Sequence, residues 1–233
     1  MVTVGRGGRS VVVRVTGRRT NWQGGRVHFP PATPERLVES IARWIDHRSP
    51  ERSVVGFDGP EEIGTAALAD DVAARLIAVG RPAARVSTRW WWRPASLRLE
   101  FGREEIDTLL GGWVDSAALG REVIAPLRAG ASRVVARLRD PGTDRSLREQ
   151  SEAVPSNAVV LLDGPFLATL ELTIDAMLHL KVSDAALARR LPPERQWWVP
   201  GFDRYRREYH PDDRADVVVS YDHPNAPAMA GIR

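Results

Sequence analysis

The chain has 233 residues, 43% hydrophobic and 27% charged, the balance of an ordinary globular protein with material for one full core. It has no cysteine, which excludes disulfides, thiolate catalysis and cysteine-based zinc sites together. Lys181 is the only lysine among 33 basic residues, and the arginines lie scattered among acids at a net charge of +3, which argues against a nucleic-acid face.

No apolar run approaches the ~18 residues of a membrane helix, and the N-terminus shows no apolar signal-peptide core. The expectation is a cytoplasmic protein without membrane partners. Residues 10–16 and 25–29 read as two short strands around a turn-rich segment, a hairpin. A helix follows, with Thr33 as its cap, Pro34 in its first position and Leu37, Val38, Ile41, Trp44 and Ile45 on one face. Residues 1–50 therefore read as an N-terminal hairpin-and-helix extension, and 51–233 as the main domain.

The main domain opens with an apolar strand, Ser53–Phe57, a turn "DGPEEIG", and a helix from Thr65 to Val79 striped by Leu68, Val72, Leu76 and Val79. Residues 84–89 read as the next strand. Asp115 caps a helix whose Leu119, Val123, Ile124 and Leu127 face inward. A second hairpin turns at Asp140-Pro141-Gly142-Thr143. "NAVVLLDGPFL" is a buried strand and "DAMLHLKV" another. Ser183 caps the next helix, an irregular "PPERQWWVPGF" leads into the helix "DRYRREYHPDDRA", and "ADVVVSYD" closes the set, with loop after Asp222. Apolar strands alternating with amphipathic helices predict an α/β fold with a parallel sheet flanked by helices. Ligands in such sheets bind at the carboxyl ends of the strands. Asp58 and Asp163 each follow an apolar strand directly, and both are expected to point into that crevice.

The first strand, turn and helix have the outline of a phosphate-binding loop, G-x-x-x-x-G-K-[ST], in which backbone N–H groups cradle phosphate, a lysine reaches the β/γ-phosphates and a hydroxyl holds Mg²⁺. Here the frame reads Gly59-Pro60-Glu61-Glu62-Ile63-Gly64-Thr65-Ala66. Thr65 stands in the lysine position and Ala66 in that of the hydroxyl.

The order of parts resembles the uridine kinase and phosphoribulokinase group of P-loop kinases, and within it the uridine-kinase-like proteins of actinobacteria. The resemblance covers residues 53–222 and rests on "VVGFDGPEEIGTAALADDVAARL", "VSTRWWWRP", "VVLLDGPFL", "HLKVSDAALARR" and "YRREYHPDDRADVVVSYDHP". It implies a P-loop-kinase-like sheet with a short lid over about 189–204, ATP with magnesium as cofactor, and an acceptor-activating acid after the second strand. Aligned on Arg93-Pro94, that acid falls on Arg89-Trp90. Three elements thus depart together, while Gly59, Gly64, Asp58, Asp163 and the lid arginines Arg189, Arg190 and Arg204 remain. Removing one preorganised transition-state donor costs about 2.7–4 kcal/mol, so the triple loss argues against a standard MgATP site. Asp58, Glu61 and Glu62 add charge of the wrong sign for phosphate.

Asp58, Glu62 and Asp163 are the candidate catalytic groups, as carboxylates that repel one another and accept a cationic or nucleoside-like small molecule. The plainer reading of the glutamates is solvation. Gly59, Gly64, Thr65, Trp90, Trp91, Trp92, Arg93, Arg189, Arg190, Trp197, Arg204 and Tyr205 are candidate ligand contacts, the tryptophans as an aromatic wall for a planar or cationic group; their plainer role is packing on the lid or on a partner copy. His179 reads as a core histidine, and no histidine has metal-ligand spacing. Three functions follow: a kinase-fold protein without conventional ATP phosphotransfer that binds, and transforms, a small molecule; an active nucleoside-type kinase with a non-standard loop; or a non-catalytic homo-oligomeric interaction protein.

Overall fold

The computed structural model describes residues 32–48, 52–148 and 151–230; the hairpin expected over 10–29 lies outside them. Helix α1 (Pro34–Arg48) buries Leu37, Ile41, Trp44 and Ile45, and Thr33 Oγ1 accepts the Arg36 N–H at 3.3 Å. Strand β1 (Ser53–Asp58) is buried throughout. A single 3₁₀ turn, Glu61–Ile63, leads into helix α2 (Thr65–Ala78). Leu68, Val72 and Leu76 form its buried stripe, but the helix stops at Ala78, and Val79, expected on that stripe, is 49% exposed. An Arg75–Glu39 ion pair ties α2 to α1, and α1 shares one hydrophobic core with the sheet.

Strand β2 (Ala83–Ser87) runs into a 3₁₀ turn, Thr88–Trp91. Two short helices that the sequence reading lacked follow, α3 (Ala95–Arg98) and α4 (Ile106–Gly111). Helix α5 (Ser116–Leu119), a π turn (Gly120–Ile124) and helix α6 (Ala125–Arg128) succeed one another without a break. Asp115 caps them as expected, accepting the Ala118 N–H at 2.9 Å. Two small antiparallel ribbons pair β3 (Arg133–Val134) with β6 (Glu152–Ala153), and β4 (Arg139–Asp140) with β5 (Arg145–Ser146), the expected hairpin.

The sheet is completed by β7 (Val159–Gly164) and β8 (Ala176–Lys181), then, beyond helices α7 (Asp184–Arg190), α8 (Trp198–Tyr209) and α9 (Pro211–Arg214), by β9 (Val217–Ser220) and β10 (Ala228–Ala230). The strand order is β10-β9-β8-β1-β7-β2. Five strands are parallel; β10 runs antiparallel to β9, which corrects the loop expected after Asp222. The neighbouring strands β1 and β7 are buried at every position, as in parallel sheets covered on both faces. Among the described residues no helix is long and apolar enough to cross a membrane.

Helix α8 begins at Trp198, so Pro200 and Gly201 lie inside it rather than in the irregular segment expected before it. Pro200 is tolerated there because the first helical turn has no intrahelical use for its missing N–H.

Candidate functional site

Both "DGP" triplets sit at the carboxyl ends of neighbouring strands, yet their acids face opposite sides of the sheet. Asp163 pairs in register with Phe57 and Ser87, whereas Asp58 pairs with Gly164 and His179. Successive side chains on a strand alternate faces, so this one-residue offset separates the carboxylates. The expected convergence of Asp58 and Asp163 in one crevice does not form.

Asp58 has no exposure and three donors. Its Oδ1 accepts the Leu167 N–H at 3.0 Å; its Oδ2 accepts the Tyr205 hydroxyl at 2.8 Å and lies 2.7 Å from His179 Nδ1. The other ring nitrogen of His179 lies 3.4 Å from Asp212, which also pairs with Lys181. Burial, then the Asp58 charge, pushes the Tyr205 phenol well above its ordinary range, so it stays a hydroxyl that donates to Asp58, and its oxygen accepts the Ala168 N–H at 3.1 Å. This knot joins β1, β8, the turn after β7 and helix α8. Such a carboxylate is a structural anchor, not a free acid, and His179 is a bonded core histidine, as expected.

The loop after Asp58 is shut upon itself. Gly64 adopts φ +96°, a conformation open to glycine, and serves both as cap of the 3₁₀ turn and as start of α2. The N–H groups of Gly64 and Ile63 donate to Glu61 O at 2.9 Å and Pro60 O at 3.4 Å, and that of Gly59 donates to Gly164 O at 3.1 Å. The buried Thr65 hydroxyl donates to Pro60 O at 2.6 Å. A methyl at Gly59 would meet Thr65 Oγ1 at 2.9 Å and Leu180 Cβ at 3.0 Å. Lysine's place is thus filled by a short side chain turned back onto the loop, and three of the loop's amides are committed to backbone carbonyls.

Glu62 is largely buried and Glu61 is partly exposed, and the two are each paired with an arginine and do not form an acidic cluster. Glu61 pairs with Arg89 at 2.6 Å and Glu62 with Arg195. These arginines, with Ser87, Thr88, Trp92, Asp163, Gly164, Pro165 and Trp198, line a crevice at the carboxyl ends of β2 and β7. Asp163 is its best-positioned acid. Burial pushes its carboxyl pKa up; Arg85 at 2.9 Å and the Ser87 hydroxyl at 3.0 Å pull it back. Arg85 also pairs with Asp70 on α2. Among the described residues no group of three or more His, Asp or Glu side chains is arranged to hold a metal ion. The mutual repulsion expected of these acids is cancelled by one arginine apiece, or, at Asp58, by buried donors.

The three adjacent tryptophans diverge instead of forming one wall. Trp91 is fully buried and donates its indole N–H to Ala136 O at 3.2 Å. Trp90 lies under the Arg137 guanidinium, 5.3 Å from its ring centre. Trp92 packs edge-on to Trp113 at 5.1 Å and lies 6.4 Å from Trp198, while Trp197 lies 6.0 Å from both Trp113 and Trp198. The two aromatic groups separated in sequence therefore meet over the strand ends, filled by each other's rings. Arg195 lies across two of them, 5.0 Å from Trp198 and 5.8 Å from Trp92.

The remaining candidates lie elsewhere. Arg204 pairs with Asp107 and Glu208 on the outer side of α8. Arg190 donates to Asp222 O at 2.9 Å, and Arg189 is exposed. The Arg93 backbone bonds Trp113 and Arg98, and Arg93 does not line the crevice. The arginine of the lid segment that reaches the loop is Arg195, which the sequence reading passed over, as it did Arg85, Ser87 and Thr88. The signal for Arg195 was its place beside the Trp197-Trp198 pair within a segment already assigned to the lid.

No protein-family model matches this chain, and no curated protein matches it. Solved structures do. A possible uridine kinase from Bacillus stearothermophilus superposes with a TM-score of 0.65 at 20% identity, over 78% of this chain and 97% of that one. A putative fructose transport system kinase from Silicibacter sp. gives 0.55 at 20% identity over 78% and 92%. The YGR205w protein gives 0.53 at 12% identity over 85% and 97%. The fold is that of the P-loop kinases: a mostly parallel sheet flanked by helices.

Proposed function

We propose that this protein is a P-loop-kinase fold that has given up conventional MgATP phosphotransfer and binds a small molecule in the crevice between the β2 and β7 ends, the loop and the start of α8. One observation carries the reading: the loop that would cradle phosphate is closed by its own bonds, with Thr65 turned onto Pro60 O and the Ile63 and Gly64 amides spent on backbone carbonyls. An anion held by this turn needs free N–H groups, and those of Ile63 and Gly64 are engaged. The residues present do not fit MgATP, since neither a loop lysine nor a magnesium hydroxyl stands at 65 and 66. Asp163, lining the crevice with its pKa raised, is the group suited to exchange a proton with a bound molecule; Asp58 and Glu62 are bonded away from that role.

The competing reading is an active small-molecule kinase with an unusual loop, favoured by fold neighbours described as a possible uridine kinase and a putative fructose transport system kinase. An assay of ADP release with MgATP, uridine and a panel of sugars separates the two. The proposal expects no turnover above the rate without protein; turnover that disappears in Asp163→Asn establishes the kinase.

A further inference from the structure

The crevice holds a mismatched set of hydrogen-bonding groups. Thr88 is fully buried and Trp198 is 2% exposed, yet Thr88 Oγ1 and Trp198 Nε1 have no hydrogen-bond partner in the protein, and the same holds for Arg89 Nε. All three line one space. An indole or guanidinium N–H can only donate, and a hydroxyl can donate as well as accept. Buried polar groups are ordinarily satisfied, and one left bare costs about 1–3 kcal/mol. The unmet need is for acceptor oxygens. Two guanidinium groups face the same space, and what holds them is Glu61 and Glu62. Glu62 does so incompletely: its side chain is 12% exposed and its buried Oε2 has no partner.

We propose that the crevice is a site for a small oxyanion, a carboxylate or phosphate group, which enters by exchange: its oxygens replace Glu62 on Arg195 and Glu61 on Arg89 and take the donors of Thr88 and Trp198. The two loop glutamates are the resident stand-ins for that anion. Planar guanidinium forks match carboxylate and phosphate alike, which is why one side chain can stand in for a ligand. Each arginine keeps an anionic partner, while the two displaced glutamates, still part of the loop, turn out to solvent, so the crevice as a whole gains the anion's charge. It also couples binding to shape, since the Glu62–Arg195 pair is what fastens the segment before α8 to the loop. This rests on the crevice reading above and adds to it the ligand's chemical class. The anion's place is among side chains at the β2 and β7 ends, not within the closed loop backbone.

The test titrates the whole protein with inorganic phosphate and with succinate, and in parallel with the uncharged probes uridine and ribitol, reading the fluorescence of the tryptophans beside Arg195 and the melting temperature. Glu62→Gln, which removes the competitor, is expected to tighten phosphate or succinate binding about tenfold. Arg195→Gln is expected to abolish it. Arg43→Gln, a charge control on the outer face of α1, is expected to leave it unchanged. Binding of phosphate alone or of succinate alone identifies which oxyanion the site takes. Equal affinity in the parent protein and Glu62→Gln, or binding retained in Arg195→Gln, overturns the exchange. If uridine or ribitol binds and neither anion does, the crevice stands as a site and the oxyanion class falls. If none of the four binds, both fall.

Discussion

Asp58-Gly59-Pro60 and Asp163-Gly164-Pro165 are the same three residues after the same kind of strand, and they end as opposites. At Asp58 the carboxylate is sealed, bonded to Leu167, His179 and Tyr205 without exposure. At Asp163 it borders the crevice, held by Arg85 and Ser87 from the neighbouring strand. Nothing within the triplets distinguishes them. The difference comes from register: β7 pairs with β1 so that Asp163 stands beside Phe57 and Gly164 beside Asp58, and with a side-chain period of two that step sends the acids to different faces. A carboxylate at a strand end is therefore a crevice residue or an anchor according to its cross-strand neighbours. His179 beside one and Ser87 beside the other decide which.

The comparison breaks most visibly if Asp58 is removed. Asp58→Ala leaves the Leu167 amide, the Tyr205 hydroxyl and His179 without their acceptor in a sealed site, a loss expected to cost about 3–5 kcal/mol. At about 2–4 °C per kcal/mol for a protein of this size, calorimetry is expected to show the melting temperature falling by ~6–20 °C. A variant that melts within a degree or two of the parent contradicts the anchor.

Gly164 sharpens the other triplet. Its φ of +153° and a Thr88 Oγ1 only 1.8 Å from where a methyl would sit leave no room for alanine. Gly164→Ala is expected to destabilise by about 2–3 kcal/mol in denaturant titration, by displacing Thr88 from the crevice wall. Tyr205→Phe has a smaller effect, about 1–2 kcal/mol, because Asp58 keeps two donors. The sign with pH is also fixed. The folded-state pKa of Tyr205 is raised, so its contribution is fully present below its ordinary value of 10.0 and is lost as pH rises through the folded-state pKa. Tyr205→Phe is expected to remove that part of the alkaline loss of stability.

Asp163→Asn has the smallest effect, under about 1 kcal/mol at neutral pH, since burial of the charge and its pairing with Arg85 oppose each other. Its signature lies in the pH profile. A carboxyl whose folded-state pKa is raised binds its proton more tightly when folded, so its stabilisation is complete below 3.8 and falls as pH rises through the folded-state value. The parent protein is expected to lose stability relative to Asp163→Asn over that window in denaturant titrations at successive pH values. The opposite slope contradicts the burial of Asp163.

Much of this architecture was legible in the sequence. Apolar runs placed β1, β7, β8 and β9, and caps at Thr33, Asp115 and Ser183 placed three helices. The loop's missing lysine and hydroxyl could be read directly from Thr65 and Ala66. What could not be read was set by pairing across the chain. The facing of Asp58 depends on His179, 121 positions away, and the engagement of Glu62 on Arg195, 133 positions away. The tryptophan run looked like one surface, but the 3₁₀ turn over Thr88–Trp91 turns its rings in different directions, which a strand reading of 84–89 had not allowed for. Helix α8 absorbed Pro200 and Gly201 because its first turn tolerates proline, so the segment starts earlier than its punctuation implied.

The central claim is that the loop is closed to nucleotide phosphates by its own bonding as well as by the lost lysine. Isothermal titration calorimetry with ATP and Mg²⁺, on the parent protein and on a Thr65→Lys, Ala66→Ser double variant, tests it most directly. The account predicts no Mg²⁺-dependent binding tighter than about 1 mM, a binding free energy of only about −4 kcal/mol, in either protein, because the restored side chains still face a turn held by Glu61, Pro60 and the two arginine pairs. Mg²⁺-dependent micromolar binding by the parent protein contradicts it.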